Sequence, residues 1–184
     1  MNRYKKISAF IILALALAAC SKESVKTLYA SQETKIETIV KALIAADETG
    51  TAYSVSRKGS QRVVLAEGSG DTLSPSGTVK FYYAGYTLPS ATISASNLFD
   101  TNVYEIAKQT GRDTTDLSVF EPFTVKLSSD NLVKGLKNGL VGVKAGEQCY
   151  VLFSGKYGFG GKELGTIPAN SALAYALQIV EVTQ

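Results

Sequence analysis

The sequence predicts an α+β domain, and three observations carry that prediction. From residue 122 to residue 160 the chain reads PFTVKLSSDNLVKGLKNGLVGVKAGEQCYVLFSGKYGFG, in which a strand, a glycine-marked helix, a second strand and a loop follow one another. Upstream, Val79 to Tyr86 puts Val79, Phe81 and Tyr83 on one face and Lys80 and Tyr82 on the other, the alternation of a strand with one buried side. Closer to the N-terminus, Ile36, Ile39, Val40, Leu43 and Ile44 recur at the spacing of an amphipathic helix.

Taken in order, Arg3, Lys5 and Lys6 precede an apolar run from Ala9 to Ala19, shorter than the roughly 20 residues a spanning helix needs. Residues 1–19 therefore read as a signal peptide. Leu17-Ala18-Ala19-Cys20 closes it in the pattern of a bacterial lipobox, whose cysteine is acylated and becomes the first mature residue. The alternative is an ordinary signal peptide cleaved beside an incidental Cys20. A multiply acylated cysteine is a stable anchor, at about 0.8 kcal/mol per buried CH₂, so the expected mature protein is tethered to a membrane rather than spanning it. Removing the three basic residues of the leader leaves 16 basic against 16 acidic side chains. The mature chain is formally neutral and carries no electrostatic footprint for nucleic acid. About 165 residues remain, enough for one domain with a real core.

Residues 20–30 are polar and read as the lipidated cysteine and a short tether. Residues 31–50 read as an N-terminal helix ended by Gly50, either packed on the domain or serving as a dimerisation arm, which leaves monomer or dimer open. From residue 51 the chain enters the main domain. Tyr53 and Val55, the turn Arg57-Lys58-Gly59-Ser60, then Val63 and Leu65 suggest a hairpin, and turns at 68–71 and 75–77 lead to the strand at Val79. Phe123, Val125 and Leu127 alternate along the next clear strand. Ser128, Ser129 and Asp130 stop it and offer N-caps for a helix whose apolar positions are Leu132, Val133, Leu136 and Leu140. Gly135 and Gly139 inside that helix each cost about 0.5 to 1 kcal/mol relative to alanine, which calls for a packing reason, and close approach to a sheet supplies one. Gly142 ends the helix, and Cys149, Val151 and Phe153 alternate along the following strand, so Cys149 is expected as a small buried core residue.

The residue inventory excludes several chemistries. There is no histidine, which removes Ser-His-Asp and Cys-His catalysis and most zinc sites. The glycines at 155, 158, 160, 161 and 165 do not make a phosphate loop, because Gly160 is followed by Gly161 rather than lysine and Lys162 by Glu163. No metal and no cofactor is expected.

The order of these elements, together with VKFYYAGY, LFDTN, LVKGLKNGLVGVKAGE, KYGFG and TIPANSALAYALQIVEV, resembles the FKBP-type peptidyl-prolyl isomerases over about residues 59 to 182. The resemblance implies an antiparallel sheet wrapped around one short helix, an FKBP-like α+β fold over 51–184, with insertions at about 87–97 and 103–120 relative to compact members. Residue by residue, Tyr83, Phe99, Phe123, Leu132, Val133, Leu136, Phe159, Ile167 and Tyr175 match positions lining the family's proline pocket. Asp100 matches its polar wall, held there by the pocket tyrosine, and the backbone N–H of Val133 matches one that donates to a substrate carbonyl. Tyr83, Phe99, Asp100 and Phe159 are the expected catalytic set and the others the substrate-binding set. Taken singly, each aromatic is equally well a core residue and Asp100 a turn residue. Leu136 stands where compact members have tryptophan and Phe159 where many have tyrosine, which implies a differently shaped pocket floor and weaker binding of macrolide immunosuppressants.

The implied activity is cis-trans isomerisation of X-Pro bonds in unfolded or nascent exported proteins. The alternative is a catalytically weak chaperone or protein-binding module that keeps the groove. The lipobox points to a bacterial cell envelope, and Ser21 after Cys20 points to the outer membrane, facing the periplasm.

Overall fold

A computed structural model describes residues 3–184, with side chains from residue 23 onward; the readings that rest on the leader and on Cys20 lie outside the residues whose side chains are described. Seven strands form one antiparallel sheet: β1 (Tyr53–Arg57), β2 (Ser60–Ala66), β3 (Thr78–Thr87), β4 (Leu98–Thr101), β5 (Phe123–Lys126), β6 (Gln148–Phe153) and β7 (Leu173–Thr183). Their order is β1-β2-β6-β7-β3-β4, and β5 also pairs with β3. The longest pairing, β3 with β7, runs from Thr78 opposite Thr183 to Thr87 opposite Leu173 and forms the spine of the sheet.

The free edge of β3 is shared by two short strands. β4 pairs with its second half, Ala84 opposite Thr101, and β5 with its first half, Phe81 opposite Phe123. The 103–120 insertion leaves the sheet in the gap between them. Asn102 closes that gap: its Oδ1 accepts from the Tyr83 N–H at 2.6 Å, and its Nδ2 donates to the carbonyls of Phe81 and Glu121 at 3.3 and 2.9 Å. A buried side-chain amide thus supplies backbone partners that neither strand provides there. The insertion carries α2 (Tyr104–Gln109), more than the single helical turn its Ile106-Ala107-Lys108 segment suggests, and a 3₁₀ turn at Leu117–Phe120.

Helices cover both faces. The short α3 (Lys134–Leu140) lies on the face lined by Phe81, Leu127, Val151, Phe153, Leu173 and Ile179. Gly135 and Gly139 make this possible, since a Cβ on the first would overlap the Phe153 ring and on the second the Val151 side chain. The close approach expected from the glycine pair is what the packing requires. α1 (Arg3–Ala45) covers the opposite face, where Ile36, Ile39 and Val40 pack against Val63, Leu88, Leu152 and Ala174. β6 and β7 therefore bury successive residues on both sides, and each of the α1 isoleucines contributes about 1.5 to 3 kcal/mol of transfer free energy.

Three boundaries differ from the sequence expectation. Residues 23–30, read as a tether, are helical and continuous with α1, because the segment holds no glycine or proline and its polar residues are compatible with a helix. The same helix stops at Ala45, short of Gly50, where the Asp47 carboxylate accepts from the backbone N–H groups of Thr49, Thr51 and Ala52. α3 starts at Lys134 rather than directly after Asp130. The Asp130 carboxylate instead accepts from the Lys126 N–H at 2.8 Å and closes a turn back onto β5, leaving Val133 as an N-cap without a side-chain cap. Among the described residues, no helix is long and apolar enough to cross a membrane.

Arg62 and Glu147 form a buried ion pair beneath α3, Nε to Oε1 at 3.3 Å but not aligned as a hydrogen bond. The guanidinium also donates to the carbonyls of Gly139 and Val141 at 3.0 and 3.1 Å, where the last turn of α3 has no intrahelical partners. Cys149 is buried beside this pair, and burial pushes its thiol well above the usual cysteine range. It is a core residue, as its strand position predicts.

Candidate functional site

Where α3, β3, β5 and β7 converge, a cavity of about 400 Å³ opens to solvent. Leu136 of α3 and Tyr175 of β7, both buried, form its base. Phe153 stacks against Tyr175, with centroids 6.0 Å apart and planes at 18°, which holds the tyrosine ring in place. Phe99 meets the other edge of Tyr175 at 5.6 Å and 81°. Tyr83 meets both Tyr175, at 6.2 Å, and Phe123, at 6.3 Å. Leu132, Val133 and Phe159, all half-buried, complete the wall.

Of the residues the sequence nominates, the cavity brings together Tyr83, Phe99, Asp100, Phe123, Leu132, Val133, Leu136, Phe159 and Tyr175. Ile167 is the exception. It is buried in the core cluster of the α3 face, in a turn that pairs it with Leu164, and does not border the cavity. Phe123 is about half exposed at the mouth, although it begins the buried side of β5. Sequence reasoning missed Phe81, Thr124, Val125, Asp130 and Asn131, which also border the cavity. Phe81 and Val125 share the inward faces of their strands with Tyr83 and Phe123, so strand alternation could have found those two.

Thr124, Asp130 and Asn131 add polar groups at the β5 side, and the polar pair beside the aromatic wall is Tyr83 with Asp100. The Tyr83 hydroxyl donates to Asp100 Oδ2 at 2.7 Å, and Asp100 Oδ1 accepts from the Thr101 N–H at 2.9 Å, which fixes the carboxylate plane. Burial, and then the bond to Asp100, push the Tyr83 hydroxyl well above the ordinary tyrosine range; burial and the Asp100 charge do the same to Tyr175. Both phenols remain donors at any physiological pH. The Val133 N–H, at the start of α3, has no protein partner among the described residues.

The two insertions have different surroundings. In 87–97, Leu88 packs into the α1 cluster and the Pro89 carbonyl accepts from Lys35 Nζ at 3.0 Å, so this segment belongs to the α1 face and stands away from the cavity. The 103–120 segment, by contrast, encloses a second hollow of about 400 Å³ with Ala107, Arg112, Val119 and Phe120. Tyr83 and Asp100 line both hollows and form the partition between them.

Residues 70–180, more than half of the chain, match the family model described as FKBP-type peptidyl-prolyl cis-trans isomerase. The chain belongs to that family. This FKBP-type isomerase is 24% identical to FK506-binding protein 1 of Aspergillus oryzae over 124 residues, covering 67% of this chain and 98% of that protein. It is 34% identical to FK506-binding protein 2 of Podospora anserina over 61 residues, 33% of each chain. Among solved structures, FkpA from Escherichia coli aligns with a TM-score of 0.55 at 17% identity, covering 100% of this chain and 74% of that one. A peptidyl-prolyl cis-trans isomerase from Pseudomonas syringae pv. tomato aligns at 0.52 and 16% identity, over 83% of this chain and 96% of the other. At those identities the structural likeness speaks to the fold, an antiparallel sheet with helices in the FKBP-like α+β class, and the family match makes the chain a peptidyl-prolyl cis-trans isomerase.

Proposed function

We propose that this isomerase binds X-Pro segments of exported proteins in the aromatic cavity between α3 and β3 and speeds their folding in a bacterial cell envelope. The observation that carries the reading is the composition of the cavity: mainly aromatic and aliphatic walls, with the Asp100 carboxylate held beside Tyr83 on one side and Asp130, tied back to β5 by the Lys126 N–H, on the other. Rotation about a peptide bond faces a barrier of about 18 to 20 kcal/mol, and no bond is made or broken. The planar amide is the more polar form, because conjugation puts negative charge on its oxygen. Twisting removes that charge, so an apolar cavity and a carboxylate near the carbonyl disfavour the planar state more than the twisted one. Only that difference accelerates the reaction. A thousandfold acceleration requires about 4 kcal/mol, within reach of desolvation and the Asp100 charge together, while the unpartnered Val133 N–H can hold a substrate carbonyl outside the rotating bond.

Tyr83, Phe99, Asp100 and Phe159 act on the rotating bond in this reading, while Phe123, Leu132, Val133, Leu136 and Tyr175 hold the proline. The lipobox ending at Cys20 supports a lipid anchor, and Ser21 supports outer-membrane placement facing the periplasm. The apolar stripe of α1 is occupied by the sheet, which favours a helix packed on its own domain over a dimerisation arm. Leu136 at the cavity base, smaller than an aromatic ring, favours weak macrolide binding. It also motivates the second reading, a protein-binding module with little catalysis.

The test is the cis-to-trans rate of short X-Pro peptides with varied X. Acceleration that Phe159→Ala or Asp100→Ala reduces, with the fold retained, supports the enzyme site proposed here. No acceleration from a folded chain, together with protection of an unfolded client, would leave the groove as a binding module.

A further inference from the structure

We propose that Gln32 of α1 is a positioning residue for the isomerase reaction, closing with Tyr29 the neck of the loop that carries Phe159. The inference rests on the reading that the aromatic cavity receives the substrate. The loop leaves β6 after Phe153 and rejoins β7 at Leu173, and it holds glycines at 155, 158, 160, 161 and 165. A segment so rich in glycine loses much conformational entropy on ordering and cannot fix the Phe159 ring by local preference.

The loop's own turns, in which the Gly158 and Gly160 N–H groups donate to the Gly155 carbonyl at 3.1 Å, order its outgoing limb, and the neck ties that limb to the returning one. The Gly155 N–H donates to Gln32 Oε1 at 2.9 Å, and Gln32 Nε2 donates to the Asn170 carbonyl at 2.7 Å. One side-chain amide thus takes a donor from the outgoing limb and an acceptor from the returning one, as a backbone strand would. Tyr29 donates its hydroxyl to Asn170 Oδ1 at 2.6 Å, and the Asn170 N–H donates to the Gly160 carbonyl at 2.6 Å. Asn170 sits at φ 59°, the left-handed region that asparagine adopts more readily than most residues, which turns its carbonyl and side chain toward α1. The limbs touch at this point, because a Cβ on Gly155 would strike the Asn170 carbonyl. Gln32 is only 7% exposed and Gly155 is buried, so the Gly155 N–H has no water to fall back on if the amide is removed. Further out, Ile167 pins the returning limb into the core while Phe159 faces the cavity. Loosening the neck frees the limb that bears Phe159 and leaves the sheet intact.

The experiment uses the full chain and a double-mutant cycle in catalysis. Gln32→Leu keeps size and helix preference but removes both hydrogen bonds, and the expected result is a loss of kcat/KM for an X-Pro peptide of about tenfold. In the Phe159→Ala background the same change should cost less than twofold, because the residue being positioned is gone. Ile36→Val, one turn along the same helix and packed on the sheet rather than the loop, should leave kcat/KM within twofold. A structural role alone would give equal losses in both Phe159 backgrounds, and that additivity would overturn the proposal. A slow Phe159→Ala chain beside a full-rate Gln32→Leu chain overturns it while leaving the cavity reading intact. A Phe159→Ala chain as fast as the wild type removes both. Should Gln32→Leu fail to fold, Tyr29→Phe, which deletes one neck bond and keeps the ring, must show a smaller loss that also vanishes without Phe159.

Discussion

The Tyr83–Asp100 pair offers the sharpest test of how the cavity works. Asp100 has two fixed partners, the Tyr83 hydroxyl at 2.7 Å and the Thr101 N–H at 2.9 Å. Tyr83→Phe removes one of them and keeps the ring that contacts Phe123 and Tyr175. A hydrogen bond to a charged group contributes about 1.5 to 3 kcal/mol, and because Asp100 is open to solvent the lower end applies, which converts to about tenfold at most. Asp100→Asn preserves shape and an acceptor oxygen but deletes the charge. If the carboxylate acts on the substrate carbonyl and the tyrosine acts only by holding it, three rates follow. Tyr83→Phe should lower kcat/KM by about three- to tenfold and Asp100→Asn by about tenfold or more. The double variant should be no slower than Asp100→Asn, a coupling of about 1 kcal/mol. The assay is cis-to-trans exchange of a short X-Pro peptide at fixed temperature, with circular dichroism to verify folding. Full activity in Asp100→Asn would refute the electrostatic argument. Strict additivity would refute the division of roles between the two residues.

Other consequences concern the scaffold and its pH response. Arg62→Ala strands a buried Glu147 and uncaps two carbonyls of α3, so urea unfolding should register a loss of about 3 to 5 kcal/mol; a loss under about 1 would mean that the buried pair contributes little to the fold. Gly135→Ala gains helix preference but drives a methyl group into the Phe153 ring, and a net destabilisation of about 1 to 3 kcal/mol should lower the melting temperature, whereas a rise would place α3 farther from β6 than described. Tyr175 ionises in the unfolded chain near pH 10 but is held neutral when folded, so its contribution to stability should be constant below about pH 10 and fall above it, by at most about 1.4 kcal/mol per pH unit. Tyr175→Phe should flatten that fall in pH-dependent unfolding, and an unchanged slope would show that Tyr175 is not the group responsible.

The parts of this fold legible in the sequence are those written as a period. Alternation in 79–86 locates β3 and its inward Tyr83, the 36–44 stripe locates the packed part of α1, and the glycine pair at 135 and 139 announces a helix pressed on a sheet. The cavity residues were reachable too, since nine of the ten nominated side chains lie together; the tenth, Ile167, is buried in the core cluster, in a turn that no spacing rule encodes. What remained hidden is of one kind. Asn102 bridges the gap between β4 and β5, Arg62 caps α3 from β2, and Gln32 joins the two limbs of the Phe159 loop. Each is a single polar residue in an unremarkable context, and each satisfies backbone groups distant in sequence, as the 123-residue separation of Gln32 and Gly155 makes plain. Hydrophobic periodicity reports which face of an element is buried, but it carries no information about where an element ends and its unpaired backbone groups begin. Those groups must be satisfied, and in this isomerase three buried side chains do so at the junctions around the cavity. The elements that border the cavity are therefore joined by residues that do not line it, which is why the loop neck, rather than the cavity wall, is where the structure adds most to the sequence.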